Sequence, residues 1–365
     1  MSTAVRKIEN TPFQQTSDKP GAAATESAPP EAVLTQMITG SLGSQAVYVA
    51  AKLGVADLLV DGHRNVDELA QAAGADAPSL YRVLRALSSF GVFTELKDRV
   101  FALTPTAELL RSDSPGSLRD LAIFMGEDWH WRVWGRTLYS VRTGKPAWAE
   151  VHGDEVFPYF ATNPEAAKIF DRAMTSLSNL AINAVIEAYD FSDIQTLVDV
   201  AGGHGRLLTA ILDANASVKG VLFDQPHVLE GARDSDQVKA VGPRCELVSG
   251  DFFQSVPAGA DGYIMKHIIH DWDDERALEI LKNIGKVMKE DGRVMLVESV
   301  ITDSNQPDFG KLLDIEMLVS PGGKERTAAE YKDLFARAGL RLTRIVPTKS
   351  PYSVIEAVKT KGGRG

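Results

Sequence analysis

The sequence predicts an α/β protein: a mostly parallel, doubly wound sheet in the C-terminal half, preceded by a smaller, mainly helical unit. Three observations carry this. From Ile194 onward, seven β-forming runs alternate with helical patterns. The first run, Leu197 to Val200, stops at the glycine cluster Gly202, Gly203 and Gly205, and the helical pattern Leu207, Leu208, Ile211, Leu212 follows at once. Strand, tight turn and helix in that order are the crossover that builds a parallel sheet and binds a nucleotide-like ligand at its turn. Finally, residues 64–105 spell helix, helix and hairpin, a compact unit of different character.

The elements follow in order. Residues 1–30 are rich in Ala, Pro, Ser and Thr with few large apolar side chains. Such a stretch buries too little surface to offset its ordering entropy, so a disordered leader is expected. Val33, Leu34, Met37, Ile38, Val47, Val49, Ala50 and Leu53 then give two helical segments with Gly40 and Gly43 between them. They are apolar over much of their circumference, which suggests subunit contact, with an ordinary core pair as the other reading. Next come a helix from Asn65 to Ala73, a second from Ala77 to Phe90 capped by Asp76 or Ser79 and ended by Gly91, and a hairpin Val92–Leu103 turning at Lys97-Asp98. The order is that of a winged helix. Its second helix offers only Arg82 and Arg85, so dimerisation is favoured over DNA binding.

Residues 113–190 read as mostly helical and aromatic. Phe170, Met174 and Ser178 recur at a spacing of four, either as core or as one wall of a pocket. Strands are then expected at Thr196–Val200, Gly220–Phe223, Glu246–Ser249, Gly262–Met265, Arg293–Glu298, Arg341–Val346 and Tyr352–Ala357. Ala277, Ile280, Leu281, Ile284, Val287 and Met288 mark one helical stripe, and Thr327 with Glu330 a capping box on a helix closed by Gly339. The expected domains are therefore 1–30 (leader), 31–112, 113–190 and 191–365.

Composition narrows the function. The formal net charge is −10 over 365 residues, which disfavours a general attraction to nucleic acid or an anionic membrane. Cys245 is the only cysteine, so no intrachain disulfide forms and a reducing cytoplasm is the expected compartment. No apolar run is long enough to span a bilayer, and no secretory leader is evident.

The chemistry gathers at strand ends. Asp224 closes the second strand about twenty residues beyond the glycine turn, where a carboxylate can accept hydrogen bonds from a ribose diol. Gly250-Asp251-Phe252-Phe253 follows the third strand, placing a carboxylate and an aromatic ring for an adenine. After the fourth comes Met265-Lys266-His267-Ile268-Ile269-His270-Asp271-Trp272-Asp273-Asp274-Glu275. Asp271, Asp273 and Asp274 can cap the next helix; the histidines and aspartates are also possible metal ligands, but in no recognised zinc or calcium spacing, so no metal is expected. A histidine at the cleft mouth suits a general base, and His270 fits better than His267. A nicotinamide dehydrogenase is disfavoured: after Gly203 and Gly205, Leu208 stands where the third glycine of G-x-G-x-x-G belongs.

Together the run Leu197–Gly205, Asp224, Asp251, the segment Met265–Asp274, Val297-Glu298-Ser299 and Pro321-Gly322-Gly323-Lys324-Glu325-Arg326-Thr327 resemble the S-adenosylmethionine-dependent O-methyltransferases of the caffeate, flavonoid and hydroxyindole type. The likeness covers nearly all of residues 31–360. It implies a Rossmann-like class I methyltransferase domain behind an N-terminal winged-helix dimerisation domain, hence a homodimer, with S-adenosyl-L-methionine as cofactor and a small aromatic or polyketide-like acceptor. The glycine loop at Gly202 would hold the methionyl part, Asp224 the ribose, and Asp251 and Phe252 the adenine, with Asp199 also in the cofactor site and Lys266 and Ser178 nearby. His270 would be the base, flanked by Glu298 and Glu325, and Phe170, Met174 and Asp271 would line the acceptor pocket. Two positions depart from the pattern: Ala201 stands for the first glycine and His267 for an aromatic residue, where it can tune His270. Rival readings are a homologue that binds the donor but hydroxylates or decarboxylates, and a winged-helix DNA-binding regulator.

Overall fold

The computed structural model describes residues 29–360, so all but the last two residues of the expected leader lie outside the described residues. The chain divides into two compact units between Leu42 and Gly43. In the first unit the described residues form the opening turns of a helix, Pro30–Lys52, on which Val33, Leu34, Met37, Ile38 and Leu42 are exposed. Two segments parted at Gly40 and Gly43 were expected, but the helix runs through both glycines. Neither takes a positive φ, and a helical glycine costs only about 1 kcal/mol relative to alanine, which a long helix absorbs.

The second unit opens with three short strands, β1 (Arg64–Asn65), β2 (Phe93–Glu95) and β3 (Val100–Leu103), paired antiparallel in the order β1-β3-β2. Helices Val66–Ala73 and Ala77–Ser89 pack on them through Leu69, Leu84, Leu87, Phe93 and Phe101. Asp76 is the cap, accepting from Ser79 N at 2.9 Å, and Gly91 leaves the helix with φ +74°. The helix–helix–hairpin order read from the sequence is present. Between Arg119 and Ala188 the chain is helical, ending in the long helix Pro164–Ala188. Trp148 and Phe160 are buried there with Trp129, Tyr159 and Phe170 packed against them.

The main sheet comprises β4 (Thr196–Val200), β5 (Lys219–Asp224), β6 (Cys245–Ser249), β7 (Gly262–Lys266) and β8 (Arg293–Glu298). After the short β9 (Val300–Ile301) and β10 (Arg326–Thr327), it is completed by β11 (Leu340–Pro347) and β12 (Ser353–Lys359). Its order is β11-β12-β8-β7-β4-β5-β6. β6, β5, β4, β7 and β8 run parallel, while β12 lies antiparallel to both β8 and β11. All seven strands fall where the apolar runs predicted them. The parallel pair β9 and β10, two residues each, was not predicted, because so short a strand has no period to read.

Strand alternation sends Val198, Val200, Met265 and Leu296 to one face and Leu197, Leu222, Ile264, Met295 and Val297 to the other. Helices cover both faces, so the inner strands are mostly apolar, as a buried parallel sheet requires. The order reverses around β4, whose neighbours β5 and β7 lead away in opposite directions. In such a sheet the ligand lies there, outside the carboxyl ends of the strands.

Candidate active site

Because β4 to β8 are parallel, the residues that end them share one edge of the sheet. At the tip of β4 the Asp199 carboxyl is 1% exposed, and its Oδ2 has no hydrogen-bond partner among the described residues. Burial pushes it up to about 7, against the opposing pull of the Lys266 ammonium. Ala201 and Gly202 turn over it, donating their N–H groups to Phe223 O at 2.8 and 3.3 Å. A Cβ on Gly202 would stand 2.6 Å from the Asp199 carboxylate, so glycine is required by close approach. Ala201 sits at φ +57°. That left-handed conformation is the physical content of the departure at this position: glycine adopts it freely and alanine does not.

At β5, Asp224 is tied to the turn. Its Oδ2 accepts from Gly203 N at 2.8 Å and its Oδ1 from Gln225 N at 2.7 Å. Each oxygen keeps a second lone pair for a ligand hydroxyl. Burial raises its pKa, and the two N–H groups resist that rise. Beyond β6, Asp251 Oδ1 accepts from Phe253 N at 2.9 Å, and Phe252 packs edge-on to Phe253 with centroids 4.7 Å apart. From the end of β7, Lys266 Nζ donates to Ser178 Oγ at 2.7 Å, bringing together two residues 88 positions apart. Burial lowers the lysine pKa; Asp199 and Glu298 oppose this. These groups fit the expected donor: one unpartnered buried carboxylate oxygen, a glycine cradle that a Cβ would fill, and a row of acceptors along consecutive strands.

His270 lies in a single 3₁₀ turn, Ile269–Asp271, beyond β7, and is 7% exposed. Its Nδ1 is 2.6 Å from Glu325 Oε1 and 3.5 Å from Glu298 Oε2, and its Nε2 is 3.5 Å from Asp271 Oδ1. Glu298, fully buried at the end of β8, also accepts from Ile268 N and Ile269 N at 3.0 Å each, which fixes the turn carrying the histidine. Burial alone would lower the imidazole pKa, but Glu298, Asp271 and Glu325 outweigh it and raise it to about 10. Burial likewise pushes Glu298 up to about 7 and Asp271 to about 6, each opposed by the His270 charge. One ligating atom from each of His270, Glu298 and Glu325 lies within 4.8 Å of the other two. Ion pairing between the ring and the carboxylates accounts for that spacing without a metal.

Four neighbours of His270 were given no role from the sequence. Arg326, fully buried, donates to Ile269 O at 3.1 Å, to Trp272 O at 3.0 Å and to Asp274 Oδ1 at 2.9 Å, clamping the backbone on both sides of the histidine. A Cβ on Gly323 would collide with the His270 carbonyl oxygen and lie 2.7 Å from Trp272 N. Asp314 accepts from Glu325 N at 2.9 Å. Tyr352 packs on His267 with centroids 4.2 Å apart. The run from Pro321 to Thr327 pointed to this loop, but nothing in it told the clamp from the capping residues. His267, at φ +55°, stacks on His270 at 5.4 Å. Burial, Lys266 and His270 together hold its ring well below the ordinary histidine range. Phe170 stacks on Phe160 at 4.7 Å and meets Phe124 edge-on at 5.9 Å; Met174 follows one turn later on the same helix, half-buried.

Two family models match. One, described as an O-methyltransferase domain, covers residues 134–341; the other, an O-methyltransferase dimerisation domain, covers residues 35–113. The phenazine O-methyltransferase PhzM of Lysobacter antibioticus is 46% identical over 90% of this chain and 96% of its own length. The phenazine-1-carboxylate N-methyltransferase of Pseudomonas aeruginosa is 36% identical over 89% of this chain and 96% of its own. Among solved structures, the O-methyltransferase NcsB1 from neocarzinostatin biosynthesis, in complex with S-adenosylmethionine and 2-hydroxy-5-methyl naphthoic acid, superposes with a TM-score of 0.75. It is 34% identical, covering 87% of this chain and 96% of that one. With the sheet, the glycine cradle and the strand-end carboxylates in place, the chain belongs to the O-methyltransferase family and takes S-adenosyl-L-methionine as its methyl donor.

Proposed function

We propose that the protein methylates a phenolic or enolic hydroxyl of a small aromatic or polyketide-like metabolite in secondary metabolism, with His270 as general base and no metal. The observation that carries this is the buried histidine with its Nδ1 held by Glu325, while its Nε2 faces Asp271 Oδ1 only at 3.5 Å, loose enough for a substrate hydroxyl to bond there instead. When bound, S-adenosyl-L-methionine supplies an electrophilic methyl on a sulfonium and leaves as the thioether. Gly202, Asp199, Asp224, Asp251, Phe252, Lys266 and Ser178 are the residues that would hold it.

His270 Nε2 takes the acceptor's hydroxyl proton, and Glu298 and Glu325 stabilise the imidazolium that results. A basicity raised to about 10 matches a phenol of pKa about 10, so the transfer is near thermoneutral, at the cost that the ring must first be free of its proton. Phe170, Met174 and Asp271 line the acceptor side. Alignment of acceptor and methyl supplies most of the remaining acceleration.

The proposed organisation assigns residues 31–112 to dimerisation, 113–190 to the acceptor wall and 191–365 to the donor. The exposed apolar residues near the start of the first helix support a homodimer. The acidic net charge supports partners other than nucleic acid or membrane, and a cytoplasmic location is proposed from the single cysteine. No described helix is long and apolar enough to cross a membrane.

Incubation with S-adenosylmethionine and a panel of phenols, naphthols and hydroxyquinones, with and without EDTA, tests the reading. S-adenosylhomocysteine release with a methylated product by mass spectrometry, unaffected by the chelator, is expected. His270→Ala should lower turnover by about a hundredfold or more with donor affinity nearly intact. Unchanged turnover removes His270 from the chemistry.

A further inference from the structure

A second buried histidine stands apart from the cluster around His270. His130, on the helix Asp128–Trp134, is fully buried, and its Nε2 lies 3.0 Å from Glu316 Oε1. Trp134 Nε1 donates to the other oxygen of the same carboxylate. Glu316 stays ionised out of water: burial pushes its pKa up, but His130, Trp134 and Ser320 more than reverse that. A carboxylate only accepts, so Nε2 carries the shared hydrogen and Nδ1 faces elsewhere. That Nδ1 is buried and has no hydrogen-bond partner among the described residues.

Its surroundings are aromatic. Phe124 lies 4.4 Å from the imidazole and Trp129 6.1 Å, and Phe124 in turn meets Phe170. On the opposite side, Glu316 shares the helix Phe309–Val319 with Asp314, which holds the Glu325 backbone beside His270. The His130 pair is thus tied to Phe170 by ring contacts and to the base by one helix. A buried imidazole nitrogen left unsatisfied is costly, and its retention in an apolar cage points to a partner that arrives with a ligand.

We propose that His130, held by Glu316, is a specificity-determining residue whose Nδ1 hydrogen-bonds a polar substituent on the acceptor ring, remote from the oxygen that is methylated. This rests on the reading of the protein as an aromatic O-methyltransferase. It assigns the acceptor class as a planar ring bearing two polar groups. A neutral ring at Nδ1 accepts from a second hydroxyl; a doubly protonated one donates to a carboxylate or keto oxygen.

The test is a matched set of naphthol acceptors carrying, at a second position, hydrogen, hydroxyl, methoxy or carboxylate, assayed on wild type and on the double variant H130L/E316L. Removing both partners avoids stranding a buried charge; E316Q alone, whose single oxygen serves only one of His130 Nε2 and Trp134 Nε1 and so loosens the ring, is the milder check should the double variant misfold. Wild type is expected to favour the hydroxyl- or carboxylate-bearing acceptor over the unsubstituted one by about 10–100-fold in kcat/KM. The double variant should lose that preference while keeping kcat/KM for the unsubstituted naphthol, and KM for S-adenosylmethionine, within about threefold. E316Q should reduce the preference in the same direction. No preference in wild type, or an undiminished one in a folded variant, overturns the proposal, the latter meaning that Nδ1 meets a buried water only. Absence of S-adenosylhomocysteine from every acceptor would instead overturn the methyltransferase reading itself.

Discussion

Replacing Glu298 by glutamine tests the electrostatics around His270 most directly. The substitution is isosteric: one side-chain oxygen remains to accept from Ile268 N and Ile269 N, while an amide replaces the Oε2 that lies 3.5 Å from His270 Nδ1. What is removed is one negative charge. At that separation and an effective dielectric of about 20, the pair is worth at most about 5 kcal/mol, or about 3.5 pH units. Glu298 itself ionises only near neutrality, and Glu325 and Asp271 still face the ring, so a fall of about 1–2 pH units is expected for the histidine. The sign follows: the imidazole is raised to about 10 in wild type, its proton-accepting form appears above that pH, and lowering its basicity moves the rising limb of kcat/KM to lower pH. The direct assay is an NMR titration of histidine labelled with ¹⁵N in the donor-free enzyme, with His270 identified by its loss in His270→Asn. The pH dependence of kcat/KM from pH 6 to 10 is the second readout. A titration moved by less than about half a pH unit would refute the idea that these carboxylates set the base.

Three further outcomes are expected. Asp224→Asn, which removes a charge that also anchors the glycine turn at Gly203, should weaken S-adenosylhomocysteine binding by about 10–100-fold in calorimetry, with acceptor KM nearly unchanged; undiminished affinity would remove Asp224 from the donor site. Ala201→Gly relieves a non-glycine residue at φ +57° and should stabilise the protein by about 0.5–1 kcal/mol in urea denaturation, the gain being trimmed by the freer unfolded chain. Gly323→Ala drives a methyl into the His270 backbone and should cut kcat by more than about tenfold with donor affinity within about threefold; wild-type kcat would mean that the loop yields freely.

Much of this was legible in the sequence because the sheet is buried on both faces. Its strands are apolar runs bounded by glycine and charge, and most candidate donor residues sit at or just beyond the end of one, as Asp224 and Asp251 do, whereas Ser178 lies on a helix. The proposed base was legible because His270 follows the fourth strand, at the expected cleft mouth, in a run that resembles the family's. What stayed hidden depends on contacts between distant segments. Arg326 reads as one more charge in Lys324-Glu325-Arg326, yet it is fully buried and bonded to carbonyls more than fifty positions earlier. Gly40 and Gly43 read as a break and are helix interior, since a weak local preference yields to the rest of a 23-residue helix. His130 and Glu316 are separated by 186 positions, and no period links them.

The short pairing of β9 with β10 has a bearing on how the enzyme becomes competent. It delivers Glu325 to a histidine 55 positions upstream, so a polypeptide ending near residue 320 would contain every strand tip proposed to hold the donor but would lack one of the two glutamates that face the proposed base. Synthesis from the amino end therefore makes the proposed donor cradle before the last carboxylate of the proposed base.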